Sequence, residues 1–178
     1  MAFGLGDAPI FEGLNQTHAI PGRLERIDAG QDFVVVVDYA HTHDALEKAL
    51  TALRETGPRK ILCVFGAGGD RDRSKRPKMG RVAATLADRV YLTSDNPRSE
   101  DPIAIINDVE NGIKEIGKSN YAIEVEREKA IHRAIREAET GDLVLLAGKG
   151  HETVQIFKNE RIHFSDQEVA LEALKSRS

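Results

Sequence analysis

The sequence predicts an α/β domain built on a mainly parallel sheet, and three observations carry that expectation. Short apolar runs at Phe33 to Val37, Ile61 to Phe65 and Leu143 to Ala147 are continuous rather than alternating, the pattern of strands buried on both faces. Between the runs lie longer segments whose apolar residues recur at helical spacing. Polar and glycine-rich clusters follow the strands, as they do where open sheets of this class bind ligands. The resulting picture is a Rossmann-like, mainly parallel sheet flanked by helices, with a hairpin near the carboxyl end.

Taken in order, residues 1–13 form a terminal segment, Gly-rich as far as Pro9, and the domain is expected to run from 14 to 178. Ile10 to Ile20 suggests one helical turn around Phe11 and Leu14. Pro21-Gly22 is a turn, and Arg23 to Ile27 alternates like an edge strand. Asp28 to Gln31 closes a hairpin into the valine-rich run at Phe33 to Val37. A helix follows over Asp44 to Arg54, stopped by Gly57-Pro58. After the strand at Ile61 to Phe65, Pro77 suits the first turn of a helix carrying Met79, Val82, Ala83 and Leu86 inward.

The next strand is Val90 to Thr93. Ile103, Ile106, Val109, Ile113 and Ile116 mark a helix ended by Gly117. Tyr121 to Val125 reads as a strand and Ala130 to Ala138 as a helix with Ile131, Ala134 and Ile135 on one face. After Leu143 to Ala147, a hairpin is expected around Lys158-Asn159-Glu160. A final helix follows, capped by Asp166 and carrying Val169, Leu171 and Leu174.

Composition sets the class. The chain has 178 residues, 40% apolar and 30% charged, with a formal net charge of −4. This suits one ordinary globular domain and offers no electrostatic case for nucleic acid or an anionic membrane as partner. The lone Cys63 excludes an internal disulfide, fits a reducing cytoplasm, and lies in a strand-like run as an inert thiol. No apolar run approaches the roughly 20 residues of a membrane span, and no charged-then-apolar leader precedes a cleavage site.

Four strands end in chemistry, at Asp38 to His41, Gly66 to Lys75, Asp95 to Arg98 and Gly148 to Glu152. In a parallel sheet these ends point one way, so the clusters should converge on one crevice. Asp95-Asn96-Pro97-Arg98 is turn chemistry that presents an Arg beside an amide and carboxylates, a clamp for a ligand with its own carboxylate and amine. Gly66-Ala67-Gly68-Gly69 is neither G-x-G-x-x-G, since position 71 is Arg, nor a P-loop; it serves either as a tight turn or as a ligand loop. Arg71, Arg73, Lys75 and Arg76 are either a solvated helix start or, for Arg71 at least, an anion site, because cations oppose the dipole at a helix amino terminus. His41 and His43 do not face one another, and no His or Cys set has metal spacing, so no metal site is expected. His18, His132 and His163 are read as surface or edge residues. No Ser-His-Asp order with a nucleophile elbow occurs. The residues alone thus give a carboxylate- or phosphate-binding rim.

P-G-R-L-E from Pro21, D-Y-A-H-T from Asp38, F-G-A-G-G-D-R-D from Phe65, K-R-P-K-M-G from Lys75, D-N-P-R-S-E from Asp95 and A-G-K-G-H-E from Ala147 occur in this order. The set resembles the carboxyl-terminal domain of the Mur ligases, over about Leu14 to the end. D-N-P-R resembles the motif of the branch using meso-diaminopimelate. The resemblance implies that Asp95, Asn96, Pro97 and Arg98 form the site for the distal end of that amino acid, with Gly148 (through its carbonyl) and Glu152 receiving its ammonium. Arg71 would take another substrate carboxylate, and Arg23, Asp38, Tyr39 and His41 match positions near the nucleotide. Lys75 would assist with phosphate charge.

The family's reaction uses ATP and Mg²⁺ to activate a carboxylate of UDP-N-acetylmuramoyl-dipeptide as an acyl phosphate, which the incoming amine attacks. The family's P-loop, magnesium ligands and UDP-binding domain lie outside this sequence, so the domain alone is expected to fold without turning over. His43 departs from the family, which commonly has Pro there. The competing readings are a lysine-adding or folylpolyglutamate-type ligase domain, and a non-catalytic binding module of the same fold.

Overall fold

The computed structural model describes residues 20–158 and 160–177. In chain order the elements are β1 (Glu25–Ile27), β2 (Val34–Asp38), α1 (His43–Glu55), β3 (Ile61–Phe65), α2 (Lys75–Leu86), β4 (Arg89–Leu92) and α3 (Pro102–Glu115). They continue with β5 (Tyr121–Ile123), α4 (Arg127–Glu137), β6 (Leu143–Ala147), β7 (Val154–Phe157), β8 (Glu160–His163) and α5 (Asp166–Ser176). The turn expected around Phe11 and Leu14, the domain boundary at residue 14 and the surface position of His18 all lie outside the described residues.

Six strands form one sheet in the order β1-β2-β6-β3-β4-β5. All neighbours are parallel except β1, which pairs antiparallel with β2 at the edge. The continuous apolar runs are explained by cover on both faces. Val36, Cys63, Phe65, Leu145 and Ala147 pack under α1, α2 and α3, while Val35, Val37, Leu62, Val64, Val144 and Leu146 pack under α4 and α5. Cys63 is fully buried and its thiol is pushed up to about 12 by desolvation, which makes it the inert core residue the sequence suggested.

Helix ends follow local chemistry. Thr42 caps α1, its side-chain oxygen accepting from the Ala45 amide at 3.2 Å, so His43 occupies the first helical position, where Pro is favoured and other residues are tolerated. Asp101 caps α3 in the same way, with Pro102 in its first turn. Gly80 and Gly112 let α2 and α3 touch backbone to backbone. A Cβ on Gly112 would lie 1.9 Å from the Pro77 carbonyl, and one on Gly80 2.1 Å from that of Val109.

Three expectations are corrected. Asp166 does not cap the last helix: Ser165 does, and Asp166 turns inward to a fully buried ion pair with Arg127. Ile103 and Ile116 lie on the outer side of α3, and Ile105, Ile106, Val109 and Ile113 form its buried face, because the registration of a helix stripe is set by packing rather than by counting isoleucines. Arg76 is not part of a solvated helix start. It is wholly buried, with Nη1 and Nη2 donating to Glu100 at 3.0 and 2.8 Å and Nη1 to Asp108 at 2.9 Å.

β7 and β8 form a separate two-stranded antiparallel hairpin. It is joined to the rest by a bridge between Phe157 and Arg98.

Candidate ligand-binding site

The ends of β2, β3, β4 and β6 converge on one cavity of about 220 Å³. Tyr39 and His41 reach it from β2, Gly68, Arg71 and Lys75 from the loop and helix after β3, Asp95, Asn96 and Arg98 from β4, and Gly148 and Glu152 from β6. The expected crevice exists, and the order β2-β6-β3-β4 explains it, since parallel neighbours deliver their carboxyl ends to the same edge.

The glycine loop is built for close packing. A Cβ on Gly66 would meet the Thr93 carbonyl at 2.3 Å, and one on Gly69 the Pro97 carbonyl at 1.9 Å. The Gly69 amide donates to the Asn96 carbonyl at 2.9 Å. The stretch is a tight turn that presses the Arg71 loop against the Asp95–Arg98 loop, and its Gly68 also lines the cavity. A second tie reinforces it. Asp70 accepts from the Ser99 hydroxyl at 2.6 Å, and Glu100 accepts from the Asp70 amide at 2.6 Å.

Arg98 has a left-handed backbone, φ 53°, a conformation non-glycine residues hold only where their surroundings enforce it. Its Nη1 donates to the Gly69 carbonyl at 2.8 Å, which leaves the rest of its half-buried guanidinium facing the cavity. Arg71 is exposed and bonds to no described residue. Lys75 donates to the His41 carbonyl at 2.8 Å, and burial pulls its ammonium below the ordinary lysine value, with Asp95 opposing that pull.

Asn96 is the hub. Its Nδ2 donates to Glu152 Oε2 at 2.8 Å, while its Oδ1 accepts from the Ile156 amide at 3.0 Å and from Lys149 Nζ at 3.2 Å. One amide hydrogen and Glu152 Oε1 remain for a ligand. Lys149, which the sequence did not single out, is fully buried. Its ammonium lies 3.4 Å from Glu152 Oε2 and 3.6 Å from Asp95 Oδ1. The signal that could have found it is a lysine two residues beyond a five-residue apolar strand, a place where a charge stays buried only if it is partnered.

Arg23, Asp38 and Pro97 do not line the cavity. Pro97 lies buried behind the Arg98 turn. Asp38 spends both oxygens on backbone, accepting from the Leu24 and Ala40 amides at 2.8 Å each. Arg23 is exposed and stacks over the Tyr39 ring at 5.3 Å, which also contacts the His41 and His151 rings at 4.7 and 5.5 Å. Among the described residues no group of three or more His, Cys, Asp or Glu could hold a metal ion. Among the described residues no helix is long and apolar enough to cross a membrane.

Residues 22–150 match the Mur ligase, glutamate ligase domain family. The chain belongs to this family. It is 53% identical over 174 residues to the UDP-N-acetylmuramoyl-L-alanyl-D-glutamate–2,6-diaminopimelate ligase of Solibacter usitatus, covering 98% of this chain and 35% of the relative. A solved structure of a ligase of the same name superposes with a TM-score of 0.83 at 38% identity, over 98% of this chain and 35% of that one. The bifunctional folylpolyglutamate synthase/dihydrofolate synthase of Yersinia pestis shares the fold alone, with a TM-score of 0.58 and 22% identity over 83% of this chain and 32% of that one. The chain thus spans about a third of the length of the curated relative it matches.

Proposed function

We propose that this Mur ligase domain binds the incoming amino acid for an ATP-dependent, ADP-forming ligase that joins meso-diaminopimelate to UDP-N-acetylmuramoyl-L-alanyl-D-glutamate in peptidoglycan synthesis in the cytoplasm. The observation that carries this reading is the pairing of Arg98 with Glu152 in one cavity, tied through Asn96. The far carbon of meso-diaminopimelate bears a carboxylate and an ammonium, whereas that of lysine bears only the ammonium. An Arg fork suits the first group, and the Glu152 oxygen with the Gly148 carbonyl suits the second. A ligand lacking the carboxylate leaves the guanidinium unpaired, which costs it affinity. The 53% identical relative, a 2,6-diaminopimelate ligase by name, supports the same amino acid.

Arg71, with no partner among the described residues, is assigned to a second carboxylate of the substrate. Half-buried Tyr39 with exposed His41 and Arg23 forms an aromatic and cationic edge that fits a nucleotide, with Asp38 holding that edge rather than touching the ligand. Lys75, already on the His41 carbonyl, is placed to meet phosphate charge. ATP with Mg²⁺ would supply activation of the dipeptide carboxylate as an acyl phosphate, the metal being held elsewhere in the full enzyme. This chain's own contribution is to orient the amine and to stabilise charge around it.

Calorimetric titration of the 178-residue chain with meso-diaminopimelate and with L-lysine tests the reading. The expected result is a preference of at least about tenfold for meso-diaminopimelate that collapses in Arg98→Met. Equal affinities for the two amino acids in the unaltered chain, or binding of neither, would sink it.

A further inference from the structure

The hairpin lies beyond the residues matched by the family and outside the main sheet, yet its first strand is bonded to Asp95, Asn96 and Arg98 of the loop after β4. Gln155 Nε2 donates to the Asp95 carbonyl at 2.8 Å, and the Ile156 amide donates to Asn96 Oδ1 at 3.0 Å. The Arg98 amide donates to the Ile156 carbonyl at 2.9 Å, and the Lys158 amide to the Arg98 carbonyl at 2.5 Å. Both backbone polar groups of Arg98 are therefore taken by β7 and the residue that follows it.

This arrangement has a physical consequence. A left-handed Arg relaxes to an ordinary conformation unless neighbouring groups over-determine it. The side chain of Arg98 is anchored within the domain through Nη1 alone, to Gly69 and, at 3.4 Å, to Asn96. The direction of its free guanidinium edge is then set mainly by where its backbone is held. Gln155 is buried, at 7% exposure, and its side-chain amide is spent on the contact with the loop.

We propose that β7 is a specificity strap, with Gln155 as a positioning residue that holds the Arg98 turn so that the site distinguishes ligands with a far-end carboxylate from ligands without one. The inference rests on the function proposed above for the choice of ligands, but the strap itself can be read without any ligand.

The experiment is amide hydrogen exchange together with the two amino-acid titrations, on the unaltered chain and on Gln155→Leu, which removes the donor while keeping the side chain's bulk. In the unaltered chain the Arg98 and Lys158 amides are expected to exchange at least about a hundredfold slower than unprotected amides. In Gln155→Leu the Arg98 amide is expected to speed up about tenfold while β3 and β6 amides hold their rates. Meso-diaminopimelate affinity should fall about tenfold with L-lysine affinity nearly unmoved, so the ratio shrinks.

Unchanged Arg98 exchange in Gln155→Leu, or an equal fall in both affinities, would overturn the proposal. If Gln155→Leu does not fold, the unaltered chain still decides: a fast-exchanging Arg98 amide overturns the strap and a slow one supports it. If the unaltered chain prefers neither amino acid, the functional reading fails, while Arg98 exchange that is slow and then released in Gln155→Leu still supports the strap.

Discussion

Arg127 and Asp166 face each other in a two-point ion pair with no solvent exposure on either side chain, Nε to Oδ1 at 2.8 Å and Nη2 to Oδ2 at 2.7 Å. Nη2 also donates to the Ala147 carbonyl at 3.0 Å, so the pair ties the starts of α4 and α5 to the strand end from which the Gly148–Glu152 loop springs. Removing one partner strands a buried charge. Asp166→Ala is expected to cost about 3–5 kcal/mol in urea unfolding, and Arg127→Met with Asp166→Leu together less than the sum of the two single changes. A cost for Asp166→Ala below about 1 kcal/mol would contradict this account.

Gly69→Ala tests the packing role of the glycine loop. The added methyl cannot coexist with the Pro97 carbonyl, so the Asp95–Arg98 loop must move. The expected result is a loss of amino-acid binding out of proportion to the loss of stability, read by titration and thermal melting on the same samples. Binding at the unaltered level would show that the two loops are independent.

Lys149→Met removes the buried ammonium that bridges Asn96, Glu152 and Asp95. Asp95 and Glu152 then lose the cation that sits between them, and Asn96 Oδ1 keeps only the Ile156 amide. A loss of about 1–3 kcal/mol is expected in denaturant unfolding, with weakened amino-acid binding. Lys149→Arg should be no better, since the fully enclosed space has no room for a guanidinium. Wild-type stability in Lys149→Met would refute the bridging role.

Acid should loosen the site through Glu100. Hydrogen bonds from Arg76 hold its carboxyl down at about 2, against an ordinary 4.5. A depressed folded-state value means that the stabilisation is complete above the unfolded-state value and is lost as pH falls from about 4.5 toward 2. Glu100→Gln should therefore be less stable than wild type at pH 6, with the gap closing across that window. A gap that stays constant from pH 6 to pH 2 in urea midpoints would exclude the linkage.

Much of this could be read from the chain. Continuous apolar runs such as Ile61 to Phe65, bounded by turn residues, read as strands covered on both faces, and polar clusters behind parallel strands are expected to converge, as they do on one cavity. What stayed hidden were side chains whose partners are distant in sequence. Arg76 looks like any cation in a basic run until Glu100 and Asp108 close around it. Asp166 has the type and place of a cap, and only its partner 39 residues away reverses that reading. Gln155 carries no local signal, because its value lies in a carbonyl on another loop. Ile103 and Ile116 show the limit of periodicity, which gives a stripe but not which edge of it faces solvent.

The position of β6 between β2 and β3 governs how the domain comes together during synthesis. β2 and β3 share no neighbour until Ala147 has been made, so the inner edge of the valine run at β2 has only β1 on its other side for more than a hundred residues of translation. The early strands must therefore wait with one edge open, exposed to pairing with other chains. Insertion of β6 closes that edge and, in the same step, brings Gly148 and Glu152 in between the two halves of the cavity.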